Sequence, residues 1–166
     1  MIILGIDPGT ATTGYGLLQI RNNDLHVIDF GLIETDKNGT PELRLLSIHE
    51  KMTELFIKYT PHVVAIEKLF FAANTKTAMR VGQAQGVMFL CAAQYKVKIF
   101  EYAPATIKKV VSGNGRADKK NMQKSIRKIL GAGIRSKPKK KSHFDNAADA
   151  LAVALTHAIQ IKKVLF

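Results

Sequence analysis

Cysteine occurs once in the 166 residues, at Cys91, so no disulfide can form within the chain. It lies in the apolar run Val87-Met88-Phe89-Leu90-Cys91-Ala92-Ala93, where a thiol reads as a small core residue. A lone cysteine suits a reducing cytoplasm. No apolar run approaches the roughly 18 residues that a membrane helix needs. Met1-Ile2-Ile3-Leu4-Gly5-Ile6-Asp7 reaches a carboxylate without the basic leader of a signal peptide. These absences point to a cytoplasmic protein without a membrane partner. Internal repeats, low-complexity stretches and a composition break are also lacking, so the chain reads as one domain over residues 1–166. Acidic residues are scarce: 13 Asp plus Glu face 25 Lys plus Arg, a formal charge of +12. That excess suits a polyanion, most commonly nucleic acid. No basic amphipathic helix points to a membrane surface instead. At 46% apolar residues, the chain can bury a real core.

Three strand-like runs open the chain, at Ile2–Ile6, Thr13–Ile20 and Leu25–Ile33, separated by the turn signals Asp7-Pro8-Gly9-Thr10 and Arg21-Asn22-Asn23-Asp24. Such short links predict an antiparallel meander. Thr40-Pro41-Glu42 starts a helix that Pro61 stops, and a fourth strand follows at His62–Ile66. The pattern then predicts a helix over about Lys76–Tyr95, a strand over Val97–Tyr102, and helices from Pro104 to near Gly113 and from Asp118 to Leu130. Gly131–Ser142 reads as a basic loop, and a last helix runs from about Asn146 to Lys162. The result is an α/β layered domain with a mixed five-stranded sheet flanked by helices. Its element order resembles the ribonuclease H-like fold.

Three acids fall where such a sheet gathers them. Asp7 ends the first strand, Glu67 ends the fourth, and Asp149 lies early in the last helix. Each has a plain structural reading: Asp7 as a turn cap, Glu67 paired with Lys68 or Arg80, Asp149 favouring a helix N-terminus. Together they form a self-repelling cluster that a cation relieves. Mg²⁺ fits best, because it takes carboxylate and water ligands and bridges to phosphate. Two such ions, roughly 4 Å apart, hydrolyse phosphodiesters in known nucleases.

Ile6-Asp7-Pro8-Gly9-Thr10 with Thr13-Gly14-Tyr15-Gly16 resembles the opening motif of the RuvC family of Holliday junction resolvases. Ala65-Ile66-Glu67-Lys68-Leu69-Phe70-Phe71 resembles its second motif. Val81-Gly82-Gln83-Ala84-Gln85-Gly86-Val87, Phe100-Glu101-Tyr102-Ala103, and Ala147-Ala148-Asp149-Ala150-Leu151-Ala152-Val153-Ala154 with Thr156-His157 resemble further signatures, in order along the whole chain. The resemblance implies a Mg²⁺-dependent endodeoxyribonuclease (Mn²⁺ substituting), with two ions per site, acting as a homodimer on four-way DNA junctions beside the RuvA–RuvB branch-migration complex.

It also implies metal positions at Asp7, Glu67, Asn146 and Asp149. Asn146 departs from the pattern, since many members carry Asp there and some His. Asn supplies a carbonyl oxygen but no charge; it is either the residue this branch uses or a replacement of Asp. Asp145 is a substitute ligand or the N-cap of a helix starting at Asn146. His143, placed in the loop before that helix, is a candidate for positioning water, against simple contact with phosphate or solvent. Phe70 is the family's expected wedge at the junction centre, with core packing as the ordinary alternative. Lys108 and Lys119 align with basic residues near the scissile strand. Arg135, Lys137, Lys139, Lys140 and Lys141 form a basic run suited to phosphate contact. Gly82 and Gly86 mark close packing, against the chain's own sheet or across a dimer. The rival readings are a non-catalytic junction-binding protein, a ribonuclease H-like nuclease acting on RNA, and a phosphate-loop ATPase or sugar kinase suggested by Asp7-x-Gly9-Thr10.

Overall fold

The computed structural model describes residues 1–22, 24–69, 75–131 and 141–165, with side chains described for 146–162 of the last stretch. Strands β1 (Ile2–Asp7), β2 (Thr12–Arg21) and β3 (Asp24–Glu34) form the expected meander. Helix α1 (Pro41–Tyr59), strand β4 (Val63–Glu67), helix α2 (Thr75–Gln94) and strand β5 (Lys98–Tyr102) follow, then helices α3 (Pro104–Ser112), α4 (Lys119–Leu130) and α5 (Lys141–Leu165). The sheet order is β3-β2-β1-β4-β5. Pairing is antiparallel across β1–β2 and β2–β3, and parallel across β1–β4 and β4–β5. The two parallel steps need crossovers, which α1 and α2 supply.

Alternation along β1 and β4 sorts the core into two layers. Ile3, Val63 and Ala65 pack with Ile107, Met122, Leu151 and Leu155 of α3, α4 and α5. Leu4, Ile6, Val64 and Ile66 pack with Ile48, Met52, Phe56 and Met88 of α1 and α2. Cys91 is fully buried in this second layer, as its apolar run predicts. Side chains two apart share a face. Asp7 therefore follows Ile3, and Glu67 follows Val63 and Ala65, onto the α5 side.

Helix α5 lies directly on glycines. A Cβ at Gly5 would stand 2.2 Å from the Ala150 carbonyl oxygen, and one at Gly14 would stand 2.2 Å from that of Asn146. At Gly16 it would meet Leu151 Cδ2 at 2.8 Å. Gly14 is also the register partner of Asp7, so the glycine seat brings Asn146 onto the strand pair that ends at Asp7. Gly5→Ala is expected to lower the thermal midpoint, because overpacking against backbone costs about 1–3 kcal/mol. Circular dichroism melts check this.

The start of α5 corrects the sequence reading. The helix begins at Lys141, not Asn146, so Asp145 is inside it and is not its N-cap. Lys141, Ser142 and His143 are helical, not part of a loop. The cause is local: neither Gly nor Pro interrupts 141–146, and nothing in that stretch forces a stop.

Candidate active site

The ends of β1 and β4 are adjacent and parallel, with Ile6 paired to Ile66. That register puts Asp7 and Glu67 side by side at one end of the sheet, and α5 carries Asp149 across the same face. Burial pushes the Asp7 carboxyl up to about 7, helped by the charges of Glu67 and Asp149 and opposed by Lys119. Glu67 is also raised, by burial first and then by Asp149, with Lys108 opposing. The three carboxylates therefore sense one another across three separate elements.

Lys119, at the first position of α4, approaches Asp149 Oδ2 at 3.7 Å. Asp118 caps α4 by accepting from the Asn121 N–H at 2.7 Å, which fixes where Lys119 emerges. Both members of the Lys119–Asp149 pair are partly exposed, so the contact contributes little to stability. A cavity of about 250 Å³ is lined by Glu67, Lys108, Lys119 and Asp149, and a second one by Asp7, Glu67 and Lys68. Two acidic cavities thus carry three lysines, the arrangement for a phosphate whose reacting centre faces the carboxylates.

Among the described residues, no three Asp, Glu, His or Cys side chains are gathered closely enough to hold one ion. Lys108 and Lys119 supply the local positive charge instead. The donor set nevertheless fits a divalent cation: these are hard oxygen donors, and a double positive charge would offset the burial and the neighbouring carboxylates that together hold the proton on Asp7. Asn146, half-buried and one turn before Asp149 on α5, adds a neutral oxygen donor.

Three contacts carry site geometry that sequence reasoning did not assign. Gln85 is polar yet buried, and its Nε2 donates to the Glu67 carbonyl oxygen at 3.4 Å. The Lys68 N–H donates to the Tyr102 carbonyl at 2.8 Å, holding the chain just past Glu67. The Tyr102 hydroxyl and His157 Nδ1 share a buried hydrogen bond of 2.7 Å that ties β5 to α5. Gln85, Tyr102 and His157 all lie within the motifs quoted above, but a polar residue in a motif carries no sign of which backbone it will hold.

The site residues are therefore placed unevenly. Asp7, Glu67, Asp149, Asn146, Lys108 and Lys119 come to one end of the sheet. Phe70, Phe71, Arg135, Lys137, Lys139 and Lys140 lie outside the described residues. Lys141, His143 and Asp145 are on α5, with side chains outside the described set.

The family described as "Crossover junction endodeoxyribonuclease RuvC" matches residues 3–157. A protein of that name from Caldicellulosiruptor saccharolyticus is 42% identical over 167 residues, covering 100% of this chain and 97% of the relative. One from Alkaliphilus metalliredigens is 48% identical over 159 residues, covering 95% and 93%. Among solved structures, Thermus thermophilus RuvC in complex with a Holliday junction substrate superposes with a TM-score of 0.87 at 29% identity, covering 99% of this chain and 96% of that one.

Proposed function

The chain belongs to the RuvC family of crossover junction endodeoxyribonucleases, and on that footing we propose that Asp7, Glu67 and Asp149, with Asn146, form the cutting centre for four-way DNA junctions. The fold is ribonuclease H-like and the chain is a nuclease. The observation that carries the assignment of residues is the convergence of Asp7, Glu67 and Asp149 at one end of the sheet, where burial first and neighbouring carboxylates second raise Asp7 and Glu67, in cavities that Lys108 and Lys119 also line. The family's divalent metal would be held by the oxygens of these four residues, and Mg²⁺, with Mn²⁺ as substitute, suits them; two ions per site match the donor count. When bound, the metal supplies an activated water and charge neutralisation at the phosphate. Asp7 and Glu67 orient that end of the site from rigid strand termini. Lys108 and Lys119 attract the scissile strand, and Lys119 exchanges its contact with Asp149 for one with phosphate.

Phe70, three residues past Glu67, is the proposed wedge, and Arg135, Lys137, Lys139, Lys140 and Lys141 the proposed phosphate contacts on the approaching arm. His143 stands on the first turn of α5 as the proposed water-positioning group. We place the protein in the cytoplasm beside RuvA–RuvB; its one thiol is buried, and no described helix is long and apolar enough to cross a membrane.

The working unit is proposed to be a homodimer. Close packing on its own sheet does not account for the glycines of α2: a Cβ at Gly86 would meet nothing within 4 Å, and one at Gly82 only Leu69 Cδ2 at 4.0 Å. Met79 and Leu90, on the same side of α2 as Gly86, are 65% and 53% exposed. A twofold pair of sites then matches the twofold symmetry of a junction.

The test is metal-free binding to a synthetic four-way junction and a linear duplex of equal length across a salt titration, with sedimentation to count chains. Two chains per junction, retained preference for the junction as salt rises, and a log–log slope of about −5 (roughly six phosphates neutralised) are expected. Equal affinity for the two DNAs at moderate salt would remove junction recognition.

A further inference from the structure

A second basic cavity lies on the opposite face of the sheet from the carboxylates. It has a volume of about 250 Å³, and its lining includes Thr10, Lys37, Arg44, Arg80 and Gln83 but no acidic residue. Three cations come from three separate places: the turn after β3, the first turn of α1, and the first turns of α2. Packing of α1 against α2 brings them around one space. Pro41 starts α1 at the cavity wall, so the positive end of that helix adds to the field. Asp36, next to Lys37, directs its carboxylate to the Asn38 N–H at 2.9 Å.

Arg44 is held in place. Its Nε donates to Thr35 Oγ1 at 2.9 Å, and Thr35 Oγ1 donates to the Thr10 carbonyl at 2.7 Å. The bond uses Nε and not the two terminal amino groups, the pair that grips a phosphate in bidentate fashion. The same chain of bonds reaches the loop that follows Asp7, three residues before Thr10. The cavity therefore lies at the same end of the sheet as the carboxylates, and its Arg80 and Gln83 come from α2, the helix that carries the exposed Met79 and Gly86.

We propose that this cavity is a second phosphate site, in which Lys37, Arg44 and Arg80 hold a backbone phosphate of the junction strand that crosses near the twofold axis, away from the strand being cut. The proposal rests on the junction-binding reading above. Its chemistry is that of an anion with several acceptor oxygens; a free phosphate shares that chemistry, and the experiment separates the two sources.

The experiment compares wild type, Lys37→Ala/Arg80→Ala, and a control pair of equal charge loss at exposed positions elsewhere, Lys58→Ala/Lys98→Ala. Each is measured for junction and duplex affinity across a salt titration, and for melting temperature with and without inorganic phosphate. Arg44 is left intact because its bond to Thr35 is structural. One phosphate released per chain should flatten the junction slope of a dimer by about 1.8. The Lys37/Arg80 pair is expected to show that change and about a tenfold weaker junction affinity at moderate salt, with a smaller loss on duplex and an unchanged melting temperature. The control pair is expected to shift the slope by less than half as much. Equal slopes for the two double variants would overturn the proposal, because net charge alone would then explain the effect. A wild-type melting temperature raised by inorganic phosphate and lost in Lys37→Ala/Arg80→Ala, with DNA slopes unchanged, would assign the cavity to a free anion and overturn its role on DNA. If wild type itself shows no preference for the junction, the underlying reading fails; if it does and Lys37→Ala/Arg80→Ala keeps the wild-type slope, only the second site fails.

Discussion

Asp7→Asn is expected to reduce junction cleavage by about a thousandfold, equivalent to ~4 kcal/mol of barrier, while making the metal-free protein more stable at pH 8. The two effects have one origin. In the metal-free fold, burial and the charges of Glu67 and Asp149 lift the Asp7 carboxyl from 3.8 to about 7. A raised carboxyl favours the protonated fold. Its contribution to stability is fully present below about pH 4, where both folded and unfolded chains hold the proton, and is lost as pH rises through about 7. A shift of that size sets a ceiling of about 4 kcal/mol on the loss, reduced by solvent screening at the mouth of the cavity. Asparagine has no proton to lose, so the variant should keep the stability that wild type sheds between pH 4 and 7. Mg²⁺ should restore wild type at pH 8 and leave Asp7→Asn nearly unmoved. Thermal melts over pH 4 to 8, with and without Mg²⁺, read the stability effect, and a single-turnover cleavage assay reads the other. A variant that cleaves at the wild-type rate, or melts lower at pH 8 without metal, would remove Asp7 from the centre.

Asn146→Asp is expected to act in the opposite sense on activity. Asn146 lies one helical turn before Asp149, and its backbone is pressed onto Gly14, the partner of Asp7. A fourth carboxylate there adds repulsion beside Asp149 and the already raised Asp7 and Glu67, so the metal-free melting temperature should fall at pH 8. The two divalent ions proposed for the site would bring four positive charges against three carboxylates in the present chain. Adding the fourth charge at ~4 Å is worth at most ~4 kcal/mol at an effective dielectric near 20, before desolvation is subtracted. Even ~2.8 kcal/mol corresponds to about a hundredfold. Cleavage at limiting Mg²⁺ should therefore rise by that order, with the gap closing as Mg²⁺ saturates. If the Asn form already cleaves fast and Asp adds nothing, Asn146 is the competent native residue. The fourth ligand is then sought at Asp145 or His143 by replacing each with alanine.

What the sequence made legible follows from simple periodicities. Asp7 and Glu67 each end a strand in the sequence reading, so two of three carboxylates are expected at one edge of the sheet before any coordinates are known; that they share a face follows only from the Ile3–Val63 pairing. Asp149 follows only if the last helix crosses that face, and the reason it can lies in Gly5, Gly14 and Gly16. Those glycines read as strand or turn residues in the sequence, and only the close approach of the Ala150 and Asn146 carbonyls and of Leu151 gives them their purpose. The start of α5 lies ahead of the cap that Asp145 resembles, because helix propagation through 141–146 outweighs that local signal. Gln85 and the Tyr102–His157 pair hold backbone and helix positions around Glu67, a role set by contacts across 18 and 55 residues that no local pattern encodes. The Lys37, Arg44 and Arg80 cavity is illegible for the same reason, since α1–α2 packing makes neighbours of residues far apart in the chain.

Cleavage of a synthetic four-way junction tests the central claim most directly. Wild type and Asp149→Asn are incubated with a mobile junction and with a linear duplex of the same sequence, over a Mg²⁺ titration with a chelator control. The expected result is Mg²⁺-dependent paired nicks at symmetric positions on opposing junction strands, little cutting of duplex, and a loss of roughly a thousandfold in Asp149→Asn with junction binding retained. Cutting that persists in chelator, that treats duplex and junction alike, or that survives Asp149→Asn at the wild-type rate would contradict it.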